Sequence, residues 1–240
     1  MTSQALPYIS FLGFLFGSTL VASRFSVGQF QPTTYIGLRL TMASLGHIAF
    51  YTFVNRRYKW PTGRRLWLHA SVLGVLGTAV PMTSIVTALQ YLSSGLAAIM
   101  ITTSPAITVL LAHFFLPDEA LTRRKLFGVI MALSGTIVLA ASGESGLADV
   151  GQANPLGYIL MLLAMTLGGA AAVYIRKNLS DYNAFDVASI RMFVAALVVV
   201  PLSTLIIGFD LQQVTASGYT ALIYAALVGT FAGMLLAVYN

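Results

Sequence analysis

The chain of 240 residues contains no cysteine, which excludes disulfides, thiol nucleophiles and cysteine-ligated metals. Charge is nearly as scarce. Lys and Arg number 13 and Asp and Glu seven, together 8% of the chain, against about a quarter in a soluble domain. So few polar groups cannot cover a soluble core of this size. No carboxylate falls securely inside an apolar run, and Asp186 stands at the rim of one. Paired carboxylates, a zinc-ligand set, a phosphate-cradling glycine loop and a nucleophile triad are all missing from the sequence pattern. Enzyme chemistry and metal or cofactor binding therefore have no visible carrier.

What is abundant is apolar length, with a mean hydropathy of +0.84. Crossing a bilayer takes about 20 mostly apolar residues. Eight stretches qualify, at about Tyr8–Val27, Thr33–Val54, Leu66–Leu89, Ser94–Leu116, Leu126–Ser142, Gly157–Tyr174, Ala184–Gly208 and Tyr219–Tyr239. None alternates as a barrel strand would, so each is expected to be a helix. Met1–Gln4 lacks a basic segment and no clean cleavage site follows, so the first run reads as a retained helix.

The cations are placed in every second connection. Arg56, Arg57, Lys59, Arg64 and Arg65 lie in Asn55–Arg65, Arg123, Arg124 and Lys125 in Pro117–Lys125, and Arg176 and Lys177 in Arg176–Asn183. The intervening connections are neutral or acidic, with Glu144 and Asp149 in one and Asp210 in another. Basic loops stay in the cytoplasm, so the pattern predicts a multi-pass inner (plasma) membrane protein with a cytoplasmic N-terminus. The net charge of +6 then points to anionic lipid headgroups as partner, not to nucleic acid.

The first half recurs in the second. Ile36–Leu45 (IGLRLTMASL) aligns with Ala188–Leu197 (ASIRMFVAAL), placing Arg39 opposite Arg191 at an offset of 152 (191 − 39). At that offset Gly77-Thr78 meets Gly229-Thr230, and Met82 and Val86 meet Met234 and Val238. Five helices separate the copies, so the second is expected to enter the membrane from the opposite face. The expected fold is an all-α membrane protein with eight transmembrane helices, drawn from a ten-helix inverted repeat of five plus five. One five-helix repeat covers 6–142, an external linker 143–156, and an incomplete second repeat 157–240. Two further helices, about 50 residues by the repeat arithmetic, are expected beyond Asn240.

Leu116-Pro117-Asp118-Glu119-Ala120-Leu121-Thr122, followed by Gly128 and Gly135, resembles the Leu-Gly-Glu-x-Leu-Thr junction between helices four and five of the drug/metabolite transporter superfamily. Pro117-Asp118 replaces the usual Gly. Gly17-Ser18, Arg39, Ala88-Leu89-Gln90-Tyr91, Gly95-Leu96-Ala97-Ala98 and Pro105 follow in the same order. The whole chain thus resembles the EamA-domain (RhaT-like) transporters. The resemblance implies export or exchange of small metabolites, often amino acids, through a cavity between two halves. The related small multidrug pumps use a first-helix carboxylate to exchange protons for cationic drugs; this first helix has none, which disfavours that activity.

Several intramembrane residues are candidates for a site. Arg39 and Arg191 start inside apolar runs, where a cation calls for a function, although each lies close enough to a helix start to snorkel to headgroups. Thr83, Thr87, Gln90, Thr102 and Ser104 read either as a neutral hydrogen-bonding pocket or as interhelical and back-bonded polar groups; Ser18 is a further substrate-binding candidate, and Tyr174 reads as a substrate clamp or an interface anchor. Pro81 and Pro105 are kink candidates and Gly233 a bend candidate. Gly13 and Gly17 form a small-xxx-small pattern for close helix approach, with Gly168-Gly169-Ala170 in the matching region of helix six. His47 and His113 are proton-relay or packing residues.

The resulting expectation is a carrier that moves a small organic metabolite by alternating access, with lipid and a small-molecule solute as partners, no cofactor, and no stoichiometry fixed. The competing readings are a membrane-embedded lipid- or isoprenoid-acting enzyme and a transport-incompetent fragment.

Overall fold

The computed structural model describes residues 5–54, 60–208, 211–212 and 214–233. Arg56, Arg57, Lys59, Asp210, Met234 and Val238 lie outside the described residues. The elements are α1 (Ala5–Ser26), α2 (Pro32–Ala49), α3 (Arg64–Gly74), α4 (Val80–Ala88), α5 (Ser94–Ile101), α6 (Ser104–Phe115), α7 (Arg123–Ser142), β1 (Glu144–Leu147), β2 (Val150–Gln152), α8 (Pro155–Asn178), α9 (Ala184–Pro201) and α10 (Ala216–Tyr224). Four π-helical stretches continue these helices: Phe50–Val54 after α2, Val75–Ala79 between α3 and α4, Leu202–Ile207 after α9 and Ala225–Ala232 after α10.

These pieces join into eight helical runs among the described residues, matching the eight apolar stretches. Five of them, Arg64–Ala88, Ser94–Phe115, Arg123–Ser142, Pro155–Asn178 and Ala184–Leu205, are long and apolar enough to cross a membrane. Their starts are set by local chemistry. Ser93, Thr122, Asn154, Asn183 and Thr215 each accept a hydrogen bond from a first-turn amide, satisfying a donor that the helix leaves orphaned.

Three features depart from the sequence expectation. The fourth run is broken between Ile101 and Ser104, with Pro105 in the first turn of α6, where its missing N–H leaves no gap in the ladder. Arg176 and Lys177 belong to the last turn of α8, not to a loop, and there they complement the negative end of the helix. The linker is a small antiparallel hairpin, β1–β2, with Gly143 and Gly146 at positive φ.

Contacts divide the chain into two compact units, Met1–Val75 with Tyr182–Asn240, and Leu76–Asp181. In the first, α2 packs along α9, and Tyr35, Ile36, Leu40, Ile190, Met192 and Val199 are fully buried. Small residues permit this closeness. A Cβ on Gly74 would lie 2.9 Å from Val194 Cβ and 3.0 Å from the Arg191 carbonyl oxygen, and one on Gly229 would collide with Thr19. In the second unit α8 is central, meeting α4 where Gly157 faces Tyr91 and Leu92, and α6 where Gly169 faces Thr108. Almost none of α7 is buried, and Phe127, Ile130, Met131, Ile137 and Val138 are exposed along it. Such a surface is stable in hydrocarbon and not in water.

Gly13 and Gly17, read as a close-packing pair, both face open space. The close approach of α1 runs instead through Thr19 against Gly229.

Candidate functional site

One face of α1 carries Thr19, Ser23 and Ser26, all buried and separated by about one helical turn. Each hydroxyl donates to a carbonyl of its own helix, Thr19 to Leu15 at 2.7 Å, Ser23 to Thr19 at 2.8 Å and Ser26 to Ala22 at 3.0 Å. Because Ser23 spends its proton on this bond, its oxygen is left to accept. Two donors from α2 reach it: the Arg39 guanidinium through Nη1 at 3.2 Å and the Tyr35 hydroxyl at 3.2 Å.

Arg39 Nε donates to Thr230 Oγ1 at 2.7 Å. Thr230 lies in the π-helical stretch and passes its own proton to the Ala225 carbonyl at 3.0 Å, five residues back. The five-residue span is the π spacing itself. Next to this network Ser18 Oγ and Tyr224 Oη are 2.8 Å apart, joining α1 to α10.

Arg39 is thus 8% exposed and meets hydroxyls, with no carboxylate partner among the described residues. It does not snorkel. The guanidinium has five N–H donors, and the two hydroxyl bonds leave donors to spare. Arg39 is therefore a desolvated cation held by neutral hydroxyl dipoles among the described residues.

The same unit holds a second polar group at the far end of α2. His47 is fully buried; its Nδ1 is 2.9 Å from Ser189 Oγ, and its Nε2 has no hydrogen-bond partner among the described residues. Ser189 donates to the Phe185 carbonyl at 2.7 Å, so it accepts from His47 Nδ1–H, which assigns the tautomer. Phe185 and Phe231 flank the ring at centroid distances of 4.9 and 5.1 Å. Tyr51 donates to Asp186 in the first turn of α9.

The remaining candidates are distributed as follows. Arg191 is half-buried on α9, while Pro81 is buried in the first turn of α4 after the π stretch Val75–Ala79. Gly233 follows the π stretch Ala225–Ala232, 3.6 Å by its built Cβ from the Phe16 ring. In the second unit Thr83, Thr87 and Ser104 are half-buried and Gln90 is exposed. Thr102 is exposed and bonds back to Ile99 at 2.6 Å, and Thr103 and Thr108 do the same to Met100 and Ser104. Around Pro105, then, hydroxyls serve the helix backbone. Tyr174 lines a cleft on α8. Exposed His113 accepts from the Leu121 amide and lies 3.1 Å from the Glu119 carbonyl.

At the junction between α6 and α7, Glu119 meets Lys125 at 2.8 Å and Arg176 at 2.5 Å, and Arg176 also meets Asp118 at 2.6 Å. Lys125 first, then Arg176, hold the Glu119 carboxyl down at about 2. The segment singled out by its sequence is therefore an ionic clamp tying the α6–α7 turn to the end of α8.

The EamA-like transporter family matches residues 4–141 and again 155–240. The chain belongs to the EamA-like transporter family. It is 30% identical over 234 residues to the uncharacterized inner membrane transporter YedA of Escherichia coli K12, covering 95% of this chain and 72% of that protein. It is 24% identical over 222 residues to an uncharacterized transporter of Archaeoglobus fulgidus, covering 91% and 74%. A crystal structure of a protein 23% identical in sequence aligns with a TM-score of 0.63 over 95% of this chain and 76% of that one. At that identity the likeness shows the fold alone. This EamA-like chain is accordingly an integral, all-helical membrane transporter, and its family indicates transport rather than enzymatic catalysis.

The sequence reading named Arg39 and Ser18 but missed Ser23, Tyr35, Tyr224 and Thr230, which make the network around them. One signal was present: Gly229-Thr230 repeats Gly77-Thr78 at the offset that relates Arg39 to Arg191.

Proposed function

We propose that this transporter carries a small organic solute bearing a carboxylate, zwitterionic or anionic, by alternating access in the inner membrane, and that Arg39 reads the carboxylate. The observation that supports this is the burial of Arg39 among hydroxyls with no counter-charge among the described residues. The solute supplies the missing anion by taking the free guanidinium donors, in the paired geometry that suits a carboxylate. Ser18, Tyr35 and Tyr224 offer neutral hydroxyls for the rest of the molecule. Among the described helices the one carboxylate, Asp186, stands in the first turn of α9 and accepts from Tyr51, which argues against a cationic cargo.

In this reading the two copies at offset 152 are inverted relatives and the N-terminus is cytoplasmic, as the placement of Arg123, Arg124, Lys125 and Lys177 favours. Binding must bias two conformations of similar free energy, and not lock one.

The test is flux into proteoliposomes, using labelled amino acids and organic acids beside their primary amides. The acids are carried and the amides are not. Arg39→Gln weakens the apparent affinity about ten- to hundred-fold, as expected for loss of a charge-assisted hydrogen bond, and Arg39→Lys restores part of it. Equal transport of acids and amides by the wild type overturns the carboxylate assignment.

A further inference from the structure

The second unit carries a cleft of about 410 Å³ that has no part in the Arg39 network. Leu111 and Phe115 of α6 form one wall, and Ala170, Val173 and Tyr174 of α8 the other, with Lys177 and Asn178 at one end. Its walls are hydrocarbon and its end is cationic. Such a gradient, apolar along the length and positive at the mouth, is the outline of an amphiphile with an acidic head.

The position of the cleft in the membrane fits the same ligand. At about 1.5 Å per residue the 24 residues of α8 exceed the roughly 30 Å hydrocarbon layer. The last turn, with Lys177 and Asn178, therefore reaches the headgroups. The cleft runs from there to Ala170, about 12 Å along the helix. Phe114 and Phe115 beside it are exposed, as are Leu162 and Leu163 nearer the middle of α8, so apolar surface continues from the cleft along α6 and α8 among the described residues.

Charge selects the head. Asp118 and Glu119 of the α6–α7 turn are paired with Arg176 and Lys125, and Asp181, four residues beyond Lys177, accepts from Ser180. Lys177 is exposed and has no ion pair among the described residues. Arg123 and Arg124, exposed at the start of α7, add positive charge to this end of the unit. A zwitterionic headgroup would bring a cation into that field, whereas an anionic one brings only the complement.

We infer that the α6–α8 cleft is a binding site for an anionic phospholipid, with one acyl chain between Leu111, Phe115 and Val173 and the phosphate on Lys177. The reading is independent of the solute and of Arg39. One Lys near an anionic surface favours it by about five-fold in occupancy over a zwitterionic lipid.

A tryptophan reporter tests this directly. The full chain, carrying Phe115→Trp with Trp60→Phe and Trp67→Phe, is reconstituted in vesicles containing brominated phosphatidylglycerol or brominated phosphatidylcholine at equal mole fraction. Phosphatidylglycerol is expected to quench more strongly, with a relative association several-fold above that of phosphatidylcholine. Adding Lys177→Ser lowers that preference several-fold, toward the weaker bias left by Arg123 and Arg124. Equal quenching without the Lys177 change, or a preference that it does not diminish, overturns the site. Quenching by neither lipid overturns it too, since protein and not lipid would then fill the cleft. Native mass spectrometry on the chain with both tryptophans kept gives the same decision if the triple variant folds poorly: phosphatidylglycerol adducts persist in the wild type and fall away in Lys177→Ser. Retention of equal adducts in both chains refutes the assignment.

Discussion

Replacing Gly229 by Ala is the sharpest test of the packing that holds the Arg39 network. A Cβ at this position would stand 2.0 Å from Thr19 Oγ1, 2.6 Å from Cγ2 and 2.8 Å from Cβ. Rotating Thr19 removes only the first two clashes, because its Cβ is fixed by the α1 backbone. Its hydroxyl is moreover already bonded to the Leu15 carbonyl. The π stretch and α1 must therefore separate, and overpacking of this kind costs about 1–3 kcal/mol. Thr230, the next residue, is displaced with it, so the 2.7 Å bond from Arg39 is lengthened. Gly13→Ala provides the internal control, since its Cβ would meet nothing within 4 Å. The assay is the temperature at which half the monodisperse peak is lost in detergent. Gly229→Ala is expected to fall by several degrees, at about 2–4 °C per kcal/mol for a chain of this size, and Gly13→Ala to stay at the wild-type value. Thr19→Gly, which removes the opposing atoms, should recover most of the loss in the double variant. A Gly229→Ala protein as stable as Gly13→Ala would refute the close approach of α1 to the π stretch.

Other outcomes follow from the same geometry. The Glu119 clamp contributes stability above the ordinary carboxylate range, near 4.5, and loses it as pH falls toward about 2; Glu119→Gln should flatten thermal stability over that window and leave the neutral-pH side without a slope. Ser189→Ala removes the partner of His47 Nδ1, leaving both ring nitrogens unpartnered among the described residues at a cost of about 1–3 kcal/mol; an unchanged melting temperature would contradict the His47–Ser189 hydrogen bond. Single cysteines at Thr62 and Gly146 should be labelled from opposite faces of the membrane, and labelling from one face for both would defeat the topology proposed from the charges.

The helices were legible because the solvent is hydrocarbon. A span without water must close its own backbone bonds, so apolar length alone located all eight runs, while the caps Asn154, Asn183 and Thr215 that set three starts emerge only in the structure. Arg39 was legible as an anomaly, but its environment was not. Whether a long cation snorkels or turns inward depends on which hydroxyls the neighbouring helices bring within 3 Å, and serine and threonine are too common in membrane helices to announce that. Ser23 looks in sequence like Ser134, which only bonds back to Met131. The glycine pattern misled for the same reason: Gly13 and Gly17 have the spacing of a contact but face outward, while Gly229 was noted only as a repeat match. The hairpin Glu144–Gln152 is too short to show alternation, and its two positive-φ glycines were the one local hint.

The π stretches recur as the sequence does. Helix α2 spans 32–49 and α9 spans 184–201, each followed at once by a π stretch, and α3 starts at 64 where α10 starts at 216. Every one of these boundaries differs by the 152 residues that separate Arg39 from Arg191. The stretch Val75–Ala79 carries Gly77-Thr78, and Ala225–Ala232 carries Gly229-Thr230 at the same offset. In the second case the reason for a π turn is visible. Thr230 closes the wide turn onto Ala225 with its hydroxyl and thereby presents its oxygen to Arg39, while Gly229 lets α1 come close enough for Ser23 to take the other side of the guanidinium. A regular α-turn would send that hydroxyl to the residue four back and rotate the oxygen away from the cation. The Gly-Thr pair therefore accompanies a local widening in which Thr230 meets a buried guanidinium that has no carboxylate partner among the described residues.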